Sequence, residues 1–324
     1  MGKSKSWEKD LQIAKMTSLI EETYPAKQLP DGMNTLLNLE EYKRTWKQSI
    51  ERPEEFWSQQ AKKHIDWFQE PSLGCVGTGT FVEGDINFFT GGKLNVSYNC
   101  IDRHLKTRGD QIAIIWEADE IGQGRKITYN EVARETAKIA NLMKLKGVKK
   151  GDVVTIYMPM IPEIAYVMLA CTRIGAVHSV VFAGFSAESL KDRIENGDSR
   201  YIFTADEGLR GGRSIRLKET VDEAVAKCGE LVQNVFVFSR TGKEIPFDSN
   251  RDLWMQDELP KLRPFCPAEP MDSEDPLFVL YTSGSTGKPK VMFSQCNTLL
   301  LDEVTCDVYL RFVFFVSLLV TLLI

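Results

Sequence analysis

The stretch LFVLYTSGSTGKPK at residues 277–290 decides the fold and the chemistry expected of this chain. It begins with four apolar residues, which is typical of a buried strand. The turn that follows is crowded with hydroxyl side chains, and Gly284 and Gly287 let the backbone approach a ligand closely. Successive backbone N–H groups in such a turn bind anions, and Lys288 and Lys290 add positive charge. The stretch therefore predicts a loop that holds a polyphosphate.

Two other interpretations of this loop are less consistent with its residues. A Walker loop has four residues between its glycines and a Ser or Thr after its lysine. Here two residues separate Gly284 from Gly287, and Pro289 follows Lys288. A polar surface turn is the second alternative, but the strand before it, the packed hydroxyls and the paired lysines favour a phosphate loop.

Upstream of this loop, apolar strands alternate with helical segments. Strands are predicted at 112–116, 153–158, 177–182, 201–204 and 235–238, with helices between them. Thr128 and Glu131 fit a capping box that opens one of these helices. Because the strands are continuously apolar, the sequence predicts an α/β fold with a mainly parallel sheet and helices on both faces.

Two further loops follow predicted strands, at the end where ligands bind in such sheets. They are FAGFS at residues 182–186 and RGGR at residues 210–213. Two arginines that flank two glycines can form a fork for a phosphate group. A solvated basic turn is an equally good explanation of the same four residues.

The first hundred residues predict a different organisation. Residues 1–36 read as a polar leader and residues 37–100 as a helical cap, with helix expected from 38 to 68. Apolar residues recur at helical spacing in Leu39, Tyr42, Trp46 and Ile50. Three tryptophans in this segment are expected to pack in a core, and His104 is expected to be structural.

Composition excludes several classes of protein. Of 324 residues, 40 are Lys or Arg and 45 are Asp or Glu, so the net charge is −5. This negative net charge gives no electrostatic reason to expect nucleic-acid binding. The seven cysteines form no C-x-x-C pair, which predicts reduced thiols without a disulfide or zinc framework. The N-terminus lacks the apolar segment of a secretion signal, so a cytoplasmic protein is expected.

The loop at 282–290 resembles the phosphate loop of the acyl-adenylate-forming superfamily. Residues 157–163 (YMPMIPE), 169–186 and 204–213 are similar to the AMP-forming acetyl-CoA synthetases, and the resemblance covers residues 37–290. It implies an acetate–CoA ligase that takes ATP, acetate and coenzyme A, with Mg²⁺, and forms acetyl-AMP before the thiol displaces AMP. A propionyl-CoA synthetase and a fragment that binds nucleotide or coenzyme A without turnover stay open as alternatives.

The resemblance also assigns residues to ligands. It implies that the β- and γ-phosphates of ATP are held by Thr282, Ser283, Gly284, Ser285, Thr286, Gly287 and Lys288. It implies that Arg210 and Arg213, with Gly211 and Gly212 between them, lie at the 3′-phosphoadenosine end of coenzyme A, and that Gly184 lines the same route.

The family pattern is expected to end at Lys290, where Val291 replaces a family glycine. The adenylate-forming domain is thus predicted at 101–290, and residues 291–324 as a hydrophobic tail outside the family. The family's adenylation lysine and acetate pocket are expected downstream, so no catalytic residue is assigned and the chain is expected to be inactive. The last 13 residues carry no charge, but a membrane-spanning helix needs about 20. An uncovered edge at the strand of 277–281, self-association and chaperone binding are expected instead.

Overall fold

The structure is a computed structural model that describes residues 39–72, 77–80, 82–282 and 290–296. The chain divides into two compact units, Met1–Tyr42 and Lys43–Ile324. The described part of the first unit is the opening turn of helix α1 (Leu39–Glu51). The other elements described below belong to the second unit.

The N-terminal segment is helical, as predicted, but its second helix ends earlier than predicted. Pro53 opens helix α2 (Pro53–His64), since proline fits the first helical position, and the chain becomes extended at Ile65. The prediction of helix to residue 68 is therefore wrong by four residues. Trp57 and Trp67 pack partly buried against a small core of Ala61, Ile65, Phe89 and Leu94. Trp46 is 58% exposed, which contradicts the expectation that it packs in a core.

A seven-stranded sheet forms the centre of the second unit. Six strands are parallel and the seventh is antiparallel. In spatial order the sheet reads β10 (Asp252–Trp254), β9 (Asn234–Phe238), β6 (Tyr201–Ala205), β4 (Val153–Tyr157), β5 (Val177–Val180), β12 (Pro276–Thr282) and β13 (Lys290–Gln295). This confirms the predicted α/β fold with a mainly parallel sheet.

Four helices cover the sheet in two pairs. Helix α4 (Tyr129–Leu145) packs on α5 (Pro162–Ile174), and α6 (Ala187–Asn196) packs on α7 (Leu217–Val225). In the sheet, β5 lies on one side of β4 and β6 lies on the other. The connections from β4 to β5 and from β5 to β6 therefore run in opposite directions across the sheet. Because such crossovers are right-handed, α5 and α6 lie on opposite faces.

Helix α4 begins with the predicted capping box. The backbone N–H of Glu131 donates to Thr128 Oγ1 at 3.3 Å, and the backbone N–H of Thr128 donates to Glu131 Oε2 at 2.7 Å. The carboxylate of Glu131 accepts from both the backbone N–H and the hydroxyl of Thr128, and these two hydrogen bonds lower its pKa. Ser186 likewise caps α6, where its Oγ accepts from the backbone N–H of Ser189.

Two strand predictions need correction. Strand β2 (Ile112–Trp116) is not part of the main sheet, because it pairs with the antiparallel strand β3 (Arg125–Thr128) in a separate hairpin. Strand β12 was expected to have an uncovered edge, but β5 and β13 pair with its two sides. Periodicity locates a strand without identifying its partner, so neither pairing could be deduced from apolar runs.

The remaining elements are short. They are β1 (Lys93–Leu94) paired with β11 (Met271–Asp272), a π-helix (Tyr98–Asp102), α3 (Arg103–Arg108), β7 (Gly208–Arg210) paired with β8 (Arg213–Ile215), α8 (Met255–Glu258) and a 3₁₀ turn (Leu259–Lys261). Among the described residues, no helix has the length and apolarity needed to cross a membrane. The hydrophobic tail falls outside the described residues.

Candidate active site at the carboxyl ends of the strands

A cavity of about 370 Å³ lies at the carboxyl ends of the parallel strands. It is bordered by the segments that follow β4 and β5, by the β7–β8 hairpin and by the end of β2. This is the position where open parallel sheets bind ligands. Its lining includes Trp116, Glu117, Asp119, Met158, Met160, Ile164, Phe182, Leu209, Arg210 and Arg240.

The predicted RGGR loop is a tight hairpin turn. Strands β7 and β8 pair with Arg210 opposite Arg213, so Gly211 and Gly212 are the two turn residues. Both glycines have positive φ angles, 55° and 74°. A two-residue hairpin turn of this kind requires positive φ at both positions, where glycine has little strain. The two glycines therefore bring the two arginines side by side at the tip of the hairpin.

These two arginines have no carboxylate partner in an ion pair among the described residues. Arg210 and Arg213 are both exposed, and their guanidinium groups belong to neighbouring, directly paired residues. Like charges placed opposite each other on two strands repel. A bound anion would remove that repulsion, so the turn has the geometry of an anion site.

Arg210 is fixed from one side by the loop after β5. Its guanidinium carbon lies 5.1 Å from the centre of the Phe182 ring, within the range of a cation–π contact. A Cβ atom at Gly184 would come within 2.5 Å of that ring. The glycine thus leaves room for the phenylalanine, which in turn supports the arginine. The structure brings three of the predicted coenzyme A residues, Gly184, Arg210 and Arg213, to one region.

The backbone of the FAGFS loop is tied to the sheet. Tyr157 Oη at the end of β4 donates to the carbonyl of Phe185 at 2.8 Å, and burial raises the pKa of this phenol. The guanidinium of Arg193 on α6 lies 4.9 Å from the Phe185 ring centre and 5.1 Å from that of Tyr281. Tyr281 also donates from Oη to Asn196 Oδ1 at 3.0 Å. These contacts join the end of β12 to the α6 side of the site.

The predicted phosphate loop lies at the end of β12, but most of it is outside the described residues. Thr282 is the last residue of β12, and Lys290 is the first residue of β13. Ser283, Gly284, Ser285, Thr286, Gly287 and Lys288 fall between them. The strand that precedes the loop is therefore confirmed, and the phosphate contacts stay a prediction.

Two functional candidates were missed from the sequence. Arg240, after β9, lines the cavity with its guanidinium carbon 5.1 Å from the centre of the Trp116 ring. Asp206, after β6, is 1% exposed and accepts the backbone N–H groups of Arg240 and Gly242, each at 2.8 Å. Asp206 lies in the stretch 204–213 but no role was assigned to it, and Arg240 lies in none of the stretches named above, so their contact becomes apparent only from the arrangement of the strands.

The described residues contain no group of three or more His, Cys, Asp or Glu side chains that could hold a metal ion. His104, expected to be structural, packs on Tyr129 with ring centres 5.4 Å apart, away from the cavity lining. Burial, together with Arg103 and Arg108, lowers its pKa to about 4. It is therefore neutral at physiological pH, in keeping with a structural role.

Comparisons with known proteins agree with this geometry. Residues 101–316 match the family described as AMP-binding enzyme, and residues 42–100 match the acetyl-coenzyme A synthetase N-terminus. The chain is 54% identical over 270 residues to the acetyl-coenzyme A synthetase of Halorhodospira halophila, covering 83% of this chain and 41% of that protein. It is 50% identical over 283 residues to acetyl-coenzyme A synthetase 2 of Pseudomonas aeruginosa, covering 87% of this chain and 43% of that one.

A solved structure extends the likeness to the fold. The acetoacetyl-CoA synthetase from Streptomyces lividans superimposes with a TM-score of 0.73 at 26% identity, over 86% of this chain and 42% of that one. The fold and the matched residues define an AMP-binding enzyme. The chain belongs to this family, and within it to the branch of the acetyl-coenzyme A synthetases. It spans about two fifths of the length of the curated relatives it matches, since it covers 41% and 43% of the two compared above.

Proposed function

We propose that this chain carries the coenzyme A and ATP-phosphate sites of an AMP-forming acetate–CoA ligase. In that reaction ATP and acetate give acetyl-AMP and pyrophosphate, and the thiol of coenzyme A then displaces AMP. Acetate is proposed as the acid because the relatives above carry the name acetyl-coenzyme A synthetase. The expected compartment is the cytoplasm.

The observation that carries the proposal is the β7–β8 hairpin. Arg210 and Arg213 present two guanidinium groups from directly paired positions of the two strands. Neither is in an ion pair with a carboxylate of the described residues. The ring of Phe182 supports the guanidinium of Arg210. Guanidinium groups bind phosphate with two parallel hydrogen bonds, which are about twice as strong as neutral ones. We therefore propose that this turn binds the 3′-phosphate of coenzyme A.

Gly184 and Phe182 are proposed to line the same route. Phe182 offers a flat apolar surface beside the arginines, and Gly184 has no side chain that would push this ring away. Aromatic rings and arginines together are typical of sites that bind a phosphorylated nucleoside. The route leads along the carboxyl ends of β4 and β5 towards the end of β12.

The β- and γ-phosphates of ATP are proposed to bind between β12 and β13, at Thr282 to Lys288. Backbone N–H donors and a lysine in this loop would offset the charge that develops on pyrophosphate. Mg²⁺ is expected with ATP in this family. The described residues offer no acidic cluster for a metal ion, so no protein ligand for Mg²⁺ is assigned here.

The experiment that tests the hairpin assignment compares two ligands that differ by one phosphate. The purified chain is titrated calorimetrically with coenzyme A and with 3′-dephospho-coenzyme A. We expect the dephosphorylated ligand to bind at least about tenfold more weakly, since a hydrogen bond to a charged group contributes about 1.5–3 kcal/mol. In the variant R210A/R213A the two ligands should bind equally.

The matched control is R200A. Arg200 is an exposed arginine outside the cavity, 3.7 Å from Asp198 in an ion pair. This variant should keep the full preference for coenzyme A. If R210A/R213A still prefers coenzyme A over its dephosphorylated form, the hairpin does not bind the 3′-phosphate and the assignment is wrong.

A further inference from the structure

The guanidinium group of Arg193, on helix α6, is a buried charge without a carboxylate partner. Arg193 is 6% exposed, and in the part of the chain that the structure describes it forms no ion pair. Its Nη1 atom donates to the carbonyl oxygen and to the Oγ atom of Ser189, each at 2.6 Å. Burial lowers the pKa of this guanidinium, because the charged form loses hydration. Buried charges in proteins are normally paired, so this one calls for an explanation.

Two aromatic rings lie beside the charge of Arg193. Its guanidinium carbon is 4.9 Å from the ring centre of Phe185 and 5.1 Å from that of Tyr281, both within the range of a cation–π contact. Phe185 belongs to the FAGFS loop and is 41% exposed, so apolar packing anchors it only in part. Tyr281 belongs to the central sheet and donates to Asn196 Oδ1 at 3.0 Å. Arg193 therefore holds a ring of the loop in a fixed place relative to β12.

The contacts continue from the FAGFS loop to the β7–β8 hairpin. The rings of Phe185 and Phe182 meet edge to face, with centres 5.5 Å apart and planes at 76°. Phe182 in turn lies 5.1 Å from the guanidinium carbon of Arg210. Five side chains thus form one continuous stack, called here the aromatic–arginine stack, in the order Tyr281, Arg193, Phe185, Phe182 and Arg210. Through this stack, the direction of the Arg210 guanidinium depends on a residue that does not touch it.

We propose that Arg193 is a positioning residue that holds Phe185 against β12 and, through Phe182, directs the Arg210 guanidinium at the hairpin. Arg193 is outside the cavity lining and needs no contact with a ligand for this role. The inference rests on the proposed function for the ligand that Arg210 binds. The alternative is that Arg193 only stabilises α6 through Ser189, which would affect stability and leave Arg210 in place.

The first test measures the position of Arg210 without any ligand. In NMR spectra of the full chain, the Nε–Hε signal of Arg210, assigned from its loss in R210K, is shifted by the neighbouring aromatic ring. F182L gives the position of this signal when the arginine has no ring beside it. R193M replaces the guanidinium of Arg193 with an uncharged side chain of similar length, and it should move the signal towards the position in F182L. R200A, which changes an exposed arginine outside the cavity, should leave the signal unchanged.

The second test measures what this position does for binding. The affinity ratio between coenzyme A and 3′-dephospho-coenzyme A, determined by calorimetry, reports on the 3′-phosphate alone. R193M should lower this ratio by about threefold, the size expected for one exposed cation–π contact. R193K keeps the charge but has no flat group to lie beside two rings, so an intermediate ratio is expected. In the background F182A the stack is already interrupted, and R193M should lower the ratio no further.

Variants of Tyr281 separate ring contacts from hydrogen bonds. Y281F loses the hydrogen bond to Asn196 but keeps the ring beside Arg193, so the Arg210 signal and the affinity ratio should both stay as in the wild-type chain. Y281L loses the ring as well, and both readouts should change in the same direction as in R193M. If R193M lowers thermal stability too far to be measured, R193K and Y281L provide the same two readouts.

The outcomes distinguish this inference from the hairpin assignment. If R193M moves the Arg210 signal but the wild-type chain binds coenzyme A and its dephosphorylated form equally, positioning by Arg193 is supported and the hairpin assignment is wrong. If R193M leaves the signal or the ratio unchanged while R210A/R213A abolishes the preference for coenzyme A, the hairpin assignment stands and the inference is overturned. An equal effect of R193M in the wild-type and F182A backgrounds would also overturn it, because Arg193 would then act by a route other than the stack.

Discussion

The guanidinium carbon of Arg210 lies 5.1 Å from the centre of the Phe182 ring, and this ring fills the space where a Cβ atom of Gly184 would be. The three residues come from two loops that are 26 residues apart in the sequence, since Gly184 and Arg210 follow different strands. Their contact means that the conformation of one loop sets the direction of a charged group on the other.

Replacing Gly184 with alanine should therefore weaken coenzyme A binding without unfolding the protein. The new Cβ would lie 2.5 Å from Phe182 Cε1, so the ring must move and Arg210 loses its support. We expect a loss of affinity of about fivefold, corresponding to about 1 kcal/mol for a cation–π contact. Calorimetric titration with coenzyme A measures the loss.

A double-mutant cycle provides the control for that prediction. In the background F182A the ring is absent, so G184A should have little further effect on affinity. Equal losses from G184A in both backgrounds would show that the glycine acts through something other than the ring.

The turn glycines give a prediction about backbone conformation alone. A Cβ at Gly212 would meet no atom within 4 Å, but its φ of 74° lies in the left-handed region. G212A should thus destabilise the hairpin by about 1 kcal/mol, whereas G212N should be tolerated better because asparagine enters this region more readily. We expect coenzyme A to bind more tightly to G212N than to G212A. Equal affinities of the two variants would contradict a strained turn as the reason for the glycine.

The sequence predicted five of the seven strands of the sheet, β4, β5, β6, β9 and β12, because each is an apolar run between turn signals, but it did not predict β10 or β13. Strand β12 and the capping box of α4 were located to within a residue or two, since both depend on local chemistry. Pairing was predicted less well: β2 joins β3 and not the main sheet, because partner choice depends on distant residues. The position of Arg240 in the cavity lining could not be predicted either, since it depends on Asp206, 34 residues earlier, and on the order of β6 and β9 in the sheet.

A buried ion pair outside the site should contribute strongly to stability. Lys218 Nζ lies 2.8 Å from Asp252 Oδ2, and both side chains are 0% exposed. The same ammonium donates to Asp222 Oδ1 at 2.7 Å. K218M would remove the positive charge that pairs with the buried carboxylate of Asp252. We expect this variant to lower the free energy of unfolding by about 3 kcal/mol. Urea unfolding followed by circular dichroism measures this change.

The matched control for this pair is an exposed lysine. Lys261 forms an ion pair of 2.8 Å with Glu258, but its side chain is 63% exposed. K261M should therefore change the free energy of unfolding by no more than about 1 kcal/mol. If K218M and K261M lose similar amounts of unfolding free energy, burial does not make the Lys218–Asp252 pair more stabilising than an exposed pair.

His178 should make stability depend on pH in the acidic range. It lies on β5 with its ring centre 5.5 Å from that of Phe278, and its Nδ1 atom is buried without a partner among the described residues. Burial lowers the pKa of this imidazole from 6.5 to about 4, because the charged form loses its hydration. Between pH 6.5 and 4 the unfolded chain therefore binds a proton that the folded chain does not. The free energy of unfolding should be highest above pH 6.5 and fall as the pH decreases towards 4.

The variant H178F tests this dependence, since phenylalanine is also an aromatic residue but cannot be protonated. Near pH 5, unfolding of H178F should take up about one proton fewer than unfolding of the wild-type chain, so its stability should fall less steeply with acidification. The variant H104Q should give a comparable reduction, because the pKa of His104 is also lowered to about 4. Titration of the histidine ring protons by NMR gives an independent measurement in the unmodified chain. A resonance of His178 that titrates near pH 6.5, or an unchanged pH slope in H178F, would show that this imidazole is not held neutral by burial.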